Sequence, residues 1–126
     1  MRIYYDKHDS WKIDVPNTIA LLSAIIKSET NKKFINLKQC AKIVYTLNQS
    51  VTLWSENEYK EFIGRFDVDL ASHYMTVSSN QKGQFRTINR NNTETLRNDF
   101  IFLCRLFTNI LTSMIMDGKK KLFIEG

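Results

Sequence analysis

The chain has 126 residues, enough for one domain and too few for two ordinary ones. Its 43% hydrophobic and 12% aromatic content excludes a disordered tail, and four Gly and one Pro exclude collagen-like and linker-like chains. Eighteen Lys and Arg against thirteen Asp and Glu leave a net charge of +5, the balance of a compact basic domain with an affinity for polyanions.

The N-terminal residues predict a strand pair. Arg2-Ile3-Tyr4-Tyr5 and Trp11-Lys12-Ile13-Asp14-Val15 flank a polar turn at 6–10. In the second run Trp11, Ile13 and Val15 share one face and Lys12 and Asp14 the other. The charged residues Arg2, Asp6, Lys7, His8 and Asp9, with no apolar run behind them, do not read as a signal peptide, and a cytoplasmic protein is expected. Pro16 stops the strand and pre-sets a helix.

That helix is predicted over 17–28, where Ile19, Leu21, Leu22, Ala24, Ile25 and Ile26 leave almost no polar face, the pattern of a central helix. A polar, basic linker is expected at 29–34. A second helix follows Asn36 as its cap, with Leu37, Cys40, Ala41, Val44 and Leu47 on one side. A third opens at Ser55 with a capping box to Glu58 and presents Tyr59, Phe62, Ile63 and Phe66, with Gly64 weakening its end.

The period changes to two between His73 and Asn89. Residues 74–78 and 84–88 read as a hairpin about a Gly-containing loop at 79–83. A long helix follows over 93–117, with Gly118 as its C-cap and Lys119, Lys120 and Lys121 complementing its negative end. Residues 122–124 add a last short strand. The expected fold is therefore a single α+β domain over 1–126: three short helices, a long C-terminal helix, an N-terminal hairpin and a second hairpin at about 73–89. Three helices followed by a hairpin resemble the layout of a winged helix-turn-helix. The resemblance would make the third helix the recognition helix, yet that helix carries Glu56, Glu58 and Glu61 against Lys60 and Arg65.

Little in the chain points to catalysis. His8 reads as a solvated histidine of a polar turn, and His73, at the foot of the hairpin, as a structural one. Two His and two Cys without CxxC or HxxxH spacing make no zinc signature, and Cys40 and Cys104 read as buried free thiols. Asp67-Val68-Asp69 is an ordinary acidic loop, Glu58 is explained by its cap, and no GxxxxGK[ST] or GxGxxG loop is present. A non-enzyme is expected, with no cofactor, no metal, no small-molecule substrate and no membrane association.

Charge is distributed in blocks. Residues 1–50 hold eight basic and four acidic groups, residues 51–81 two and five, and residues 82–126 eight and four. The span 70–93 has no carboxylate and carries Lys82, Gln84, Arg86 and Arg90, with Arg97 just beyond. Such a hairpin suits phosphates and base edges, so nucleic acid is the expected partner and these five residues the expected contacts. On the long helix Leu96, Phe100, Leu103, Phe107, Ile110 and Met114 are spaced 4, 3, 4, 3, 4, an a/d seam that can pack inside the domain or meet a protein partner or a second copy. The alternative reading is a protein-interaction module, a small inhibitor or accessory subunit, acting through the acidic middle and this apolar helix. The Asn- and Lys-rich composition suits an AT-rich viral or mobile-element genome.

Overall fold

The structure is a computed structural model that describes residues 1–65, 70, 73–74, 76–80, 83–87 and 90–126, with the side chains of 9, 76–80, 83–87 and 90–92 left out. It is an α+β fold. In chain order come β1 (Arg2–Asp6), β2 (Asp9–Lys12), α1 (Pro16–Glu29), β3 (Phe34–Asn36), α2 (Leu37–Leu53), α3 (Glu56–Gly64), β4 (Thr76–Asn80), β5 (Gly83–Thr87), the long helix α4 (Arg90–Met116) and β6 (Lys121–Glu125).

Local chemistry accounts for most boundaries. Pro16 occupies the first turn of α1, where its missing N–H costs nothing. Asn36 Oδ1 accepts from the Gln39 N–H at 2.7 Å while Gln39 Oε1 accepts from the Asn36 N–H at 2.8 Å, a reciprocal box that starts α2. Glu58 Oε2 accepts from the Ser55 N–H at 2.8 Å, tying Glu58 into the start of α3. Gly118, at φ +65°, closes α4: its N–H reaches Ile115 O and the Lys119 N–H reaches Met114 O at 2.9 Å.

The sheet departs from the expectation of two isolated hairpins and a stray terminal strand. Four strands lie in the order β2-β1-β6-β3, every neighbouring pair antiparallel. The last strand is thus internal, and the edge strand β3 begins at the last residue of the expected linker, Phe34, and runs to the helix cap Asn36. Three residues at 34–36 are too few to show a period, and the neighbouring lysines mask them. In the N-terminal hairpin the second strand ends at Lys12, although Ile13 still exchanges bonds with Met1. The β4–β5 hairpin is a separate two-stranded sheet. It follows helical residues Leu70, His73 and Tyr74 rather than α3 directly. The strand before α2 pairs with β6, so the winged layout holds in element order and not in strand pairing.

Helices cover one face of the four-stranded sheet. Ile3, Ile35 and Leu122 are fully buried there, joined by Leu21, Leu22, Cys40, Ile43 and Leu47 of α1 and α2. α4 packs mainly along α2 and also against α1 and α3. Its entire seam, Leu96, Phe100, Leu103, Phe107, Ile110 and Met114, is at most 1% exposed. Of the two places the seam could pack, it takes the inside of the domain, where three other helices meet it. Phe100 anchors an aromatic cluster with Trp54, Tyr59 and Phe62, all ring centroids 5.2–5.5 Å from its own.

Candidate nucleic-acid interface

Most of the hairpin contacts lie beyond what can be placed. Lys82 is outside the described residues. Gln84 and Arg86 belong to β5, opposite Ser79 and Val77, and Arg90 opens α4; their side chains are outside the description. Arg97 is exposed, but its Nη2 donates to the Val51 carbonyl at 3.2 Å, tying α4 to the end of α2. That work is structural.

A second basic surface emerges that the linear sequence did not reveal. β1, β2 and β3 come from the basic first third and β6 from the basic last third, and β6 pairs with both β1 and β3. The two basic blocks therefore share one sheet. Strand alternation sorts their residues: Ile3, Ile35, Leu122 and Ile124 face the helices, and Arg2, Tyr4, Lys12, Phe34, Asn36, Lys121, Phe123 and Glu125 take the outer face. Lys12, Asn36, Lys121, Phe123 and Glu125 are exposed.

Three rings form a row across this outer face. Phe123, 36% exposed on β6, is directly opposite Tyr4 on β1 and Phe34 on β3. Its centroid lies 5.6 Å from that of Tyr4, with planes 23° apart, and 6.0 Å from that of Phe34, with planes 52° apart. Cations flank the rings. Arg2 sits 5.1 Å from the Tyr4 centroid, and Lys121 and Lys32 sit 4.8 and 5.5 Å from that of Phe34. The one carboxylate in the row is Glu125, which accepts from the Tyr4 hydroxyl at 2.9 Å and faces Arg2 at 3.8 Å. The Glu125 hydrogen bond, aided by burial, raises the Tyr4 phenol above its ordinary value. Asp6 is farther along β1, where its Oδ1 accepts from the His8 N–H in the turn.

Beside Lys32 the surface opens into a cavity of about 330 Å³ between the end of α1 and β6. Lys27, Lys32 and Lys33 line it with Ser23, Thr30 and Asn31, and among the described residues no carboxylate does. The basic surface thus continues from the ring row toward the end of α1.

The acidic middle is occupied elsewhere. Glu58 caps α3, and Glu56 pairs with Lys60 at 3.6 Å. Asp67 and Asp69 lie outside the described residues. A shallow apolar groove runs between α2 and α4, lined by Leu37, Ala41, Leu111 and Ile115 and edged by Lys38 and Lys120. Cys40 is buried, which pushes its thiol up to about 12, and Cys104 is half-buried with its Sγ 3.3 Å from Asn48 Oδ1. Among the described residues no three His, Cys, Asp or Glu side chains gather as metal ligands do.

The sequence signal for the ring row was the period-two run on either side of Tyr4 and Phe123. It was missed because each strand alone shows a single aromatic on its outer face, and only pairing aligns them. Comparison of the chain with protein-family models, curated proteins and solved structures finds no match.

Proposed function

We propose that this chain is a small non-enzymatic module that binds nucleic acid electrostatically, with the outer face of the four-stranded sheet as its main contact. The observation that carries the reading is the insertion of β6 between β1 and β3, which gathers Arg2, Lys12, Lys32 and Lys121 from opposite ends of the chain around one face, against Glu125 and, farther along β1, Asp6. Cations grouped on one face neutralise neighbouring phosphates and release their counterions, which scattered charges do less well. The carboxylate-free cavity with Lys27 and Lys33 extends the same track. The β4–β5 hairpin, with Lys82, Gln84, Arg86 and Arg90, is a second contact region in this reading.

The test is binding of a fluorescent oligonucleotide across a salt series. Four phosphate contacts predict a log–log slope of about −3 on single strands. Combining Arg2→Glu, Lys12→Glu and Lys121→Glu should abolish binding, whereas Lys82→Glu with Arg86→Glu should weaken it less. Absence of salt-dependent binding to any oligonucleotide overturns the reading. The α2–α4 groove favours the alternative, a protein-interaction module; loss of a stoichiometric protein partner on Leu111→Asp, with no nucleic-acid binding, would establish it.

A further inference from the structure

We infer that the Tyr4–Phe123–Phe34 row is a stacking platform for unpaired bases, and that its ligand is single-stranded RNA; this rests on the nucleic-acid reading above. A sheet needs large apolar side chains on the face it turns toward its helices, and here Ile3, Ile35, Leu122 and Ile124 meet that need. The outer face has no such requirement. Yet three adjacent strands each place a ring there, in register: Tyr4 is buried under Arg2, Phe34 is half-buried, and Phe123, 36% exposed at the centre, is the open ring. Aromatic faces within a cationic rim match the two parts of a single strand: bases stack on rings while the backbone runs past the cations. Phe123 offers its open edge to a base, and Phe34, 6.0 Å away and half-buried, extends the platform by about one more. A duplex keeps its bases stacked on one another and cannot use such a row, so the platform selects unpaired strands.

Glu125 decides between the two kinds of strand. Its carboxylate is 56% exposed and stands beside Tyr4, already accepting one hydroxyl proton at Oε1. A carboxylate repels a phosphate but accepts from a ribose 2′-hydroxyl, the group that RNA has and DNA lacks. Arg2, 3.8 Å away, holds the carboxylate in place.

The experiment measures anisotropy of one labelled ten-nucleotide sequence as RNA, as DNA and as a duplex, against the full chain and three variants. Phe123→Ala should weaken RNA binding about tenfold or more while leaving the salt slope unchanged, because stacking releases no counterions. Phe123→Tyr should restore binding. Glu125→Ala should narrow the preference for RNA over DNA. Wild-type affinity in Phe123→Ala, with binding still salt-dependent, overturns the platform and leaves the electrostatic reading standing. Equal affinity of the wild type for RNA and DNA overturns the assignment to RNA, and tighter binding of duplex overturns the single-strand selectivity. Failure of every oligonucleotide to bind overturns the nucleic-acid reading itself.

Discussion

Phe34 and Phe123 face each other across paired strands, their ring centroids 6.0 Å apart, although 88 residues of chain separate them. The pair lies outside the main core, under the ammonium groups of Lys32 and Lys121 near Phe34. Exposed ring pairs contribute about 0.5–1.5 kcal/mol. Phe123→Ala should therefore lower stability by only about 1–2 kcal/mol and fold normally, as urea unfolding followed by circular dichroism will record. A loss above about 4 kcal/mol would make Phe123 a core residue instead.

The seam of α4 predicts the opposite. Phe107→Ala removes a fully buried ring and should cost about 3–5 kcal/mol. Phe102, 48% exposed one turn away, should tolerate Ala within about 1 kcal/mol. Because the seam is internal, the Phe107→Ala loss should not depend on protein concentration. A midpoint that shifts with concentration in the wild type and not in the variant would return the seam to an interface between copies.

Tyr74 bridges three parts of the chain. Its hydroxyl lies 2.5 Å from Asp99 Oδ2 and 3.0 Å from the Asn17 carbonyl oxygen, joining α4 and the start of α1. Burial first, and then the bond to Asp99, push its phenol well above the ordinary value of about 10. A group raised on folding stabilises fully below its unfolded pKa, and that contribution is lost as pH climbs above about 10. Tyr74→Phe should cost about 1–3 kcal/mol at pH 7 and flatten the decline of stability above pH 10. Unchanged alkaline slopes in urea melts of the variant would contradict this.

The two cysteines should differ in reactivity. Burial holds the Cys40 thiol near 12, so its thiolate fraction at pH 8 is about 10⁻⁴. Cys104 is half-buried near the surface of α4. Maleimide at pH 8 should label one cysteine in the native protein and two in urea, counted by mass. Double labelling without denaturant would show that the α2–α4 contact opens readily.

Two glycines give a paired prediction. Gly118 holds φ +65°, a conformation that costs other residues about 1–2 kcal/mol, so Gly118→Ala should destabilise by about that amount. Gly64 ends α3 with nothing within 4 Å of where a Cβ would lie, so Gly64→Ala should stabilise by up to about 1 kcal/mol. Thermal melts of both variants, shifted in opposite directions, are the check.

Much of the fold was legible because its signals are local. Asn36, Ser55 with Glu58, Pro16 and Gly118 mark helix ends through chemistry confined to three or four residues, and all four act where the sequence places them. The apolar spacing of α4 identified its buried face. It could not say what buries that face, since three helices of this chain and a second copy offer the same hydrophobic transfer. The candidate site was less legible. The acid-free hairpin at 70–93 was visible as composition, whereas the ring row was not, because Tyr4, Phe34 and Phe123 are each the one aromatic on the outer face of three separate strands.

By itself the sequence determined the main helices, the two hairpins and the buried stripe of the long helix, though not β3, since periods of 3.6 and two are properties of neighbouring residues and need a run long enough to show. Tertiary structure decided which strands are neighbours. Backbone hydrogen bonds are alike for every residue but Pro, so a strand such as β6 carries no local label naming β1 and β3 as its partners. Burial of Ile3, Ile35 and Leu122 under the helices makes that choice, and the choice in turn brings the two basic ends of the chain and their three rings onto a single surface.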